Sequence, residues 1–283
     1  MQLTYSHLIT CEQLSKYPDR EKLVILDASI PPVGGIKTPK HQWPNTIIPI
    51  ARRFDLNKDF SDLSNNLPHT MPSATHFQSQ VQKLGINKES QIVVYDSFGL
   101  FSAARAWWMF KSMGHKHVAV LDGGLPTWLA SGFPISPAPN LNDWQLGSFT
   151  ANFQPSYFCN RHDVSNSLQI VEHKVLDARA SQRFSGQVAE PRVGVRSGHM
   201  PNALNLPYSE LLKDGKLLPK VQLQSIFSAL VESSNILTMS CGSGVTACIL
   251  ALAAEVCGYS NINVYDGSWS EWGVRLELPV VTD

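Results

Sequence analysis

The chain repeats itself. Residues 91–128 lie over residues 235–272, a shift of 144 positions, without a gap. Ile92 meets Ile236, Gly114 meets Gly258, Asp122-Gly123 meets Asp266-Gly267, and Trp128 meets Trp272. Upstream, Leu26-Asp27-Ala28 resembles Leu176-Asp177-Ala178 at a slightly different shift, so a loop differs in length between the halves. Matches that span strand, helix, strand and turn mark two homologous domains from one duplicated unit. A length of 283 residues suits two ordinary domains. The expected division is an N-terminal domain over 1–136, a linker over 137–154, and a C-terminal domain over 155–283. The linker carries Pro137, Pro139 and Asn140 and little periodicity, and it is expected to wrap one domain before the next begins.

Each half alternates short apolar runs with helical patterns. Residues 23–26, 91–95 and 118–121 read as strands in the first half, and 175–176, 236–239 and 263–265 in the second. Residues 74–84, 102–113 and 125–130 read as helices, as do 208–212, 221–231 and 245–257. Such alternation predicts an α/β fold in which each domain is a parallel sheet flanked by helices. Parallel strands are covered on both faces, which suits their unbroken apolar runs. Ligand sites in such sheets lie beyond the carboxyl ends of the strands.

One such end carries chemistry. Residues 239–247 read M-S-C-G-S-G-V-T-A, between an apolar strand and a long apolar helix. Gly242 and Gly244 allow backbone conformations that a Cβ resists. The loop is expected to curl around the Cys241 sulfur with its N–H groups inward, and the following helix presents its positive end to the same point. Both features favour thiolate over thiol. Under the gap-free shift, position 97 is the counterpart of Cys241, and it is Ser97. The first domain then keeps the scaffold without the thiolate loop, leaving one active site per chain with the N-terminal domain as wall or lid.

Composition narrows the partners. Lys plus Arg and Asp plus Glu both total 23. Zero net charge gives no reason to invoke nucleic acid or an anionic membrane. No apolar run reaches the ~18 residues of a membrane span. Residues 1–10 show neither a basic start nor a long apolar run, so no signal peptide is expected. Five cysteines without C-x-x-C suggest thiol chemistry in a reducing, cytoplasmic compartment. Cys241, Cys248, Cys257 and His199 lack metal-ligand spacing, so neither metal nor cofactor is expected. Cys11, Cys159, Cys248 and Cys257 read as core residues, and His199 as a turn-holding structural residue.

The duplicated domain and the loop Cys241-Gly242-Ser243-Gly244-Val245-Thr246 resemble the rhodanese superfamily of sulfurtransferases. The segments Gly198-His199-Met200-Pro201-Asn202-Ala203 and Asp122-Gly123-Gly124-Leu125-Pro126-Thr127-Trp128 are similar to that family's structural signatures. The C-G-S-G-V-T loop resembles that of the 3-mercaptopyruvate sulfurtransferases, whereas thiosulfate-preferring members place cations inside the loop. The resemblance implies two tandem rhodanese-like domains and sulfur transfer through a Cys241 persulfide. The donor would be 3-mercaptopyruvate and the acceptor cyanide or a thiol or dithiol such as thioredoxin. Residues Gly242, Gly244, Val245 and Thr246 would hold the donor's sulfur. Arg183 and Arg192, nine positions apart, would bind its carboxylate and keto oxygens.

The resemblance also implies that Ser243 donates to the departing group or relays a proton; otherwise it only closes the turn. His69, in Leu67-Pro68-His69-Thr70-Met71-Pro72, matches a relay histidine offered by the family's first domain, although Asn57 stands where an Asp is often seen. The alternatives are thiosulfate:cyanide sulfur transfer, a non-catalytic binding module, and a phosphatase. A C-x5-R phosphatase needs an arginine where this chain has Ala247.

Overall fold

The alternating pattern becomes two five-stranded sheets, each parallel throughout. The computed structural model describes residues 7–31, 45–138 and 144–283. The first sheet orders its strands Leu8–Ile9, Val118–Leu121, Gln91–Tyr95, Leu23–Asp27 and Arg52–Arg53. The second orders them Leu204–Asn205, His173–Asp177, Ile236–Ser240, Ile262–Tyr265 and Phe158–Cys159. Leu23–Asp27 and Gln91–Tyr95, in the middle of the first sheet, are buried at every position, as helices on both faces require.

Two compact units result. One takes the described residues up to Asp62, then Met71–Gln154 and Asp214–Leu217; the other takes Leu63–Thr70, Pro155–Lys213 and Leu218–Asp283. His69, although early in the sequence, therefore clusters with the second unit. In the first unit, Phe54, Phe60, Phe77, Phe110 and Phe149 form an aromatic core with ring centroids 3.5–6.2 Å apart. In the second, Val164, Val175, Met200, Tyr265, Trp269 and Trp272 pack together. Trp128 and Trp272 play one role twice, each donating its ring N–H to a proline carbonyl, Pro134 at 2.7 Å and Pro279 at 2.8 Å.

Residues 144–154 lie along the first unit. Gly147 N–H donates to Gln82 O, Phe149 N–H to Ile86 O and Asn152 N–H to Met113 O. Pro139 and Asn140 fall outside the described residues. Several elements differ from their expected limits. The helix expected over 245–257 runs Ala247–Cys257, because Gly244 sits at φ +74° and keeps the preceding turn open. The helix expected over 221–231 stops at Ser228, and 208–212 is a 3-10 turn, Tyr208–Leu211. Short helices at Cys11–Ser15, Arg161–Ser167 and Ser181–Phe184 add to the expected set.

Sheet register corrects one pairing. Ala28 N–H donates to Tyr95 O at 2.9 Å, and its counterpart Ala178 to Ser240 O at 2.8 Å. Leu125 N–H donates to Asp96 O at 3.0 Å, and its counterpart Trp269 to Cys241 O at 2.9 Å. Tyr95 therefore corresponds to Ser240, and Asp96, not Ser97, corresponds to Cys241. The first-unit loop is one residue longer, and a gap-free alignment runs straight through that insertion.

Candidate active site

Strand Ile236–Ser240 ends at the centre of the second sheet and delivers Cys241 to its carboxyl edge. The residue is 2% exposed. Its backbone is pinned on both sides: the N–H donates to Ser268 Oγ at 3.2 Å, and the carbonyl accepts from Trp269 N–H at 2.9 Å. Gly242 O accepts from Ser270 N–H at 2.9 Å, tying the next peptide to the same helix start. Ser268 Oγ also donates to Tyr265 O at 2.8 Å. Ser268 has φ +46°, a left-handed conformation that its first-unit counterpart Gly124 adopts at φ +51°. A side chain there is strained, and here it supplies the hydroxyl that anchors the cysteine.

The two loop glycines serve different ends. Gly244 takes the left-handed turn, and its carbonyl accepts from Cys248 Sγ at 3.3 Å. Gly242 is not left-handed, contrary to expectation; its value lies in space. A Cβ there would stand 3.4 Å from Arg183 Nη2 and 3.6 Å from Arg192 Nη1. Both expected arginines therefore face the loop from one side. Val245 is buried, and Thr246 begins the helix without capping it through its side chain. The eleven-residue helix Ala247–Cys257 opens just beyond the loop, its positive end towards it.

Ser243 is buried, with its Oγ 3.1 Å from His69 Nδ1. His69 sits at φ +60°. The sequence placed this pair 174 positions apart, and the fold brings them within hydrogen-bond reach. His199 stays with its structural reading. Its ring stacks on Phe184 at 3.8 Å between centroids, and its Nδ1–H donates to Phe184 O at 2.9 Å.

A buried ionic chain stands behind the arginines, and sequence reasoning missed it. Arg179 binds both oxygens of Asp177 through Nε (3.1 and 3.0 Å) and Oδ2 again through Nη2 at 2.7 Å. Arg179 Nη1 donates to Glu190 Oε1 at 3.0 Å, and its guanidinium lies 4.2 Å over the Trp269 ring. Glu190 in turn takes Arg183 through Nε at 3.0 Å and Nη2 at 2.5 Å. The side chains of Arg179, Asp177 and Glu190 are 1%, 0% and 3% exposed. Burial alone would lower the Arg179 pKa, but the two carboxylates raise it instead. Arg192 makes no ion pair among the described residues. Burial pulls its pKa below the ordinary guanidinium value; the charge at Cys241 and at Glu190 opposes that fall, and Arg183 adds to it.

All five cysteines are free. Burial pushes the Cys11 thiol up to about 11 and raises those of Cys159 and Cys257, which makes them inert at neutral pH. Cys159 and Cys257 are half-buried rather than core: Cys159 ends the edge strand Phe158–Cys159, and Cys257 ends the helix Ala247–Cys257. Among the described residues no cluster of three or more His, Cys, Asp or Glu side chains could hold a metal ion, and no helix is long and apolar enough to cross a membrane.

Known proteins are similar to this chain in sequence and fold. Residues 10–131 and 160–274 each match the rhodanese-like domain family. The 3-mercaptopyruvate sulfurtransferase of Rattus norvegicus is 38% identical over 263 residues, which covers 91% of this chain and 87% of the relative. The mitochondrial thiosulfate/3-mercaptopyruvate sulfurtransferase 1 of Arabidopsis thaliana is 36% identical over 279 residues, covering 91% and 73%. The crystal structure of SseA from Escherichia coli, a 3-mercaptopyruvate sulfotransferase of rhodanese fold, superposes with a TM-score of 0.80 at 32% identity, covering 93% of this chain and 99% of that one. One domain recurs twice along the sequence and twice as the same parallel sheet, and the chain belongs to the rhodanese family.

Proposed function

We propose that the chain is a 3-mercaptopyruvate sulfurtransferase working through Cys241. The observation that carries this reading is the neutral loop of Gly242 and Ser243 with two guanidiniums set against Gly242 from outside. A planar carboxylate fits such a pair, with charge-assisted bonds of about 1.5–3 kcal/mol each. Curated relatives carry the same activity in their names.

In the first step the Cys241 thiolate attacks the donor's sulfur. The S–S bond forms, the C–S bond breaks, and its electron pair leaves on carbon as the enolate of pyruvate. The proton of the transferred SH group can reach the enolate through Ser243, whose hydroxyl is held by His69. Gly242, Gly244, Val245 and Thr246 supply the backbone that surrounds the persulfide, and its N–H groups steady negative charge on the outer sulfur. In the second step a thiophilic acceptor attacks that sulfur, the S–S bond breaks, and the Cys241 thiolate returns. Cyanide or a dithiol such as thioredoxin suits this step. Zero net charge argues against nucleic acid or membrane as partner, and five free cysteines suit a reducing cytoplasm.

The test is direct. After mercaptopyruvate the intact protein should gain the mass of one sulfur atom, and cyanide should remove it. No adduct in the wild type would overturn the mechanism. Thiosulfate transfer is the second reading, favoured by the two loop-facing cations; thiosulfate should be the poorer donor, and a side-by-side comparison of kcat/KM decides between them.

A further inference from the structure

We propose that Glu190 sets which donor the site accepts, by cancelling one of the two guanidinium charges that face the loop; this rests on the sulfurtransferase reading above. The hydrogen bonds of the Glu190 carboxylate run to Arg179 and Arg183, not to the loop or Cys241. That carboxylate is shared between Arg179, at 3.0 Å, and Arg183, at 3.0 and 2.5 Å, in a nearly water-free setting. Asp177, Arg179, Glu190 and Arg183 therefore form a chain of alternating sign that is neutral as a whole. Arg192 is left as the one loop-facing cation without a carboxylate partner among the described residues.

That balance discriminates by charge. A mercaptopyruvate monoanion needs one uncompensated cation, and Arg192 supplies it. Thiosulfate is a dianion of similar size, so each unit of positive charge at the site favours it about twice as strongly as a monoanion. Loop cations would provide the missing charge, but positions 242 and 243 are Gly and Ser. With the loop neutral and Glu190 ionised, the second negative charge of thiosulfate meets no partner, and desolvating it is costly. Glu190 also fixes the guanidinium plane of Arg183, leaving that side chain a placed hydrogen-bond donor more than a free charge.

The experiment measures kcat/KM for both donors in the wild type, Glu190→Gln, Glu190→Asp and Arg192→Gln, each checked for folding by thermal melting. Glu190→Gln should raise the thiosulfate-to-mercaptopyruvate ratio by about tenfold. Glu190→Asp keeps the charge and should leave the ratio near that of the wild type. Arg192→Gln removes a cation and should lower the ratio while weakening both donors. A folded Glu190→Gln with an unmoved ratio overturns the assignment, and so does an Arg192→Gln whose ratio holds or rises. Should Glu190→Gln fail to fold, Arg192→Gln decides alone, since that side chain has no ion pair among the described residues to lose. A wild type that gains no sulfur from mercaptopyruvate would sink the functional reading and this assignment with it, whereas a wild-type adduct with unmoved ratios sinks the assignment alone.

Discussion

Asp96 and Cys241 occupy one backbone position in two copies of one fold, and their surroundings explain each other. The Asp96 carboxylate is fully buried and accepts four backbone N–H groups: Phe98 on Oδ1 at 2.8 Å, and Phe101, Ser102 and Ala103 on Oδ2 at 2.8, 2.9 and 2.9 Å. These amides belong to the loop and to the first turn of helix Ala103–Ser112, which otherwise would lack partners. The first unit thus fills the end of the strand with a carboxylate of its own. The second unit puts a sulfur there, shortens the loop by one residue, and keeps a helix start facing it. The strand end and the helix start that follows it are the inherited features, and a helix start favours negative charge in either copy. Filling that end from within makes a scaffold; leaving it to a cysteine gives the site that the proposed sulfur transfer requires. The flanking residue diverges in step. Arg179, which begins the ionic chain to Arg183, corresponds to Ser29, an uncharged residue that closes a turn on Asp27, N–H to Oδ1 at 2.9 Å, and accepts from Ser97 N–H at 2.9 Å.

The largest effect should come from exchanging the two side chains. Cys241→Ser should lower turnover by about 10⁴-fold or more, as loss of a nucleophile does. Adding Asp96→Cys to that variant should restore nothing, because Gly99 in the first loop has the Gly215 backbone against it where Gly242 has two arginines. Sulfur loading of the double variant from mercaptopyruvate, read by intact mass, would break the comparison by showing that the cradle and a thiol suffice.

Asp96→Ala should come next. It strands four buried N–H groups, and about 3 kcal/mol of stability should go with the carboxylate. Urea unfolding should show the loss, while turnover per folded molecule should persist. Unchanged stability would mean that the Asp96 cradle carries no weight, and the inference to Cys241 would weaken with it.

The one-residue difference between the loops was invisible in the sequence. Gly114 with Gly258 and Trp128 with Trp272 align without a gap, and nothing in Asp96-Ser97-Phe98 announces an insertion. Only the hydrogen bonds of Ala28, Ala178, Leu125 and Trp269 locate it. Central strands were legible because burial on both faces demands continuous apolar residues. Two-residue edge strands such as Arg52–Arg53 and Leu204–Asn205 have no length in which a period could show. In the site, Cys241 and the arginines announced themselves by type and spacing. Asp177, Arg179 and Glu190 did not, because a charged residue reads as surface until a partner is seen, and their charged partners lie up to 11 positions away. The signal that could have found Glu190 was its place between Arg183 and Arg192, a carboxylate between two candidate arginines.

Arg192→Ala should have a smaller effect, lowering kcat/KM for mercaptopyruvate about 10- to 100-fold, the worth of one or two charge-assisted bonds. Its melting temperature should hold, since the side chain is tied to no carboxylate among the described residues. The first unit has Arg53 near the end of its own strand, 3.5 Å from Asp27, and there the charge is already spent on an internal partner. Arg183→Ala should instead cost both activity and stability, because it also strips Glu190 of a donor. If the two variants lost stability equally, the distinction between a free and a committed guanidinium would fail.

The smallest effect separates the units by acid. His115 follows Gly114 after the first-unit helix, where the second unit has Tyr259 after Gly258; His115 N–H donates to Phe110 O and Tyr259 N–H to Ala254 O. Burial lowers the His115 pKa to about 4, while its Nε2–H donates to Ser90 O at 3.1 Å. A histidine in the unfolded chain titrates near ~6.5. Between these values the unfolded state binds the proton and the folded one does not. Stability is therefore full above pH ~6.5 and falls by up to ~1.4 kcal/mol per pH unit as the pH drops towards 4. Tyr259 titrates nowhere in this range, so this particular loss belongs to the first unit. His115→Gln keeps a donor for Ser90 O and removes the titration. Its stability should vary less steeply with pH between 6.5 and 4 than the wild type's, measured by urea unfolding at intervals across that window. Equal slopes would mean that other groups govern the acid response, and that the Gly-His and Gly-Tyr corners of the two repeats do not differ in this respect.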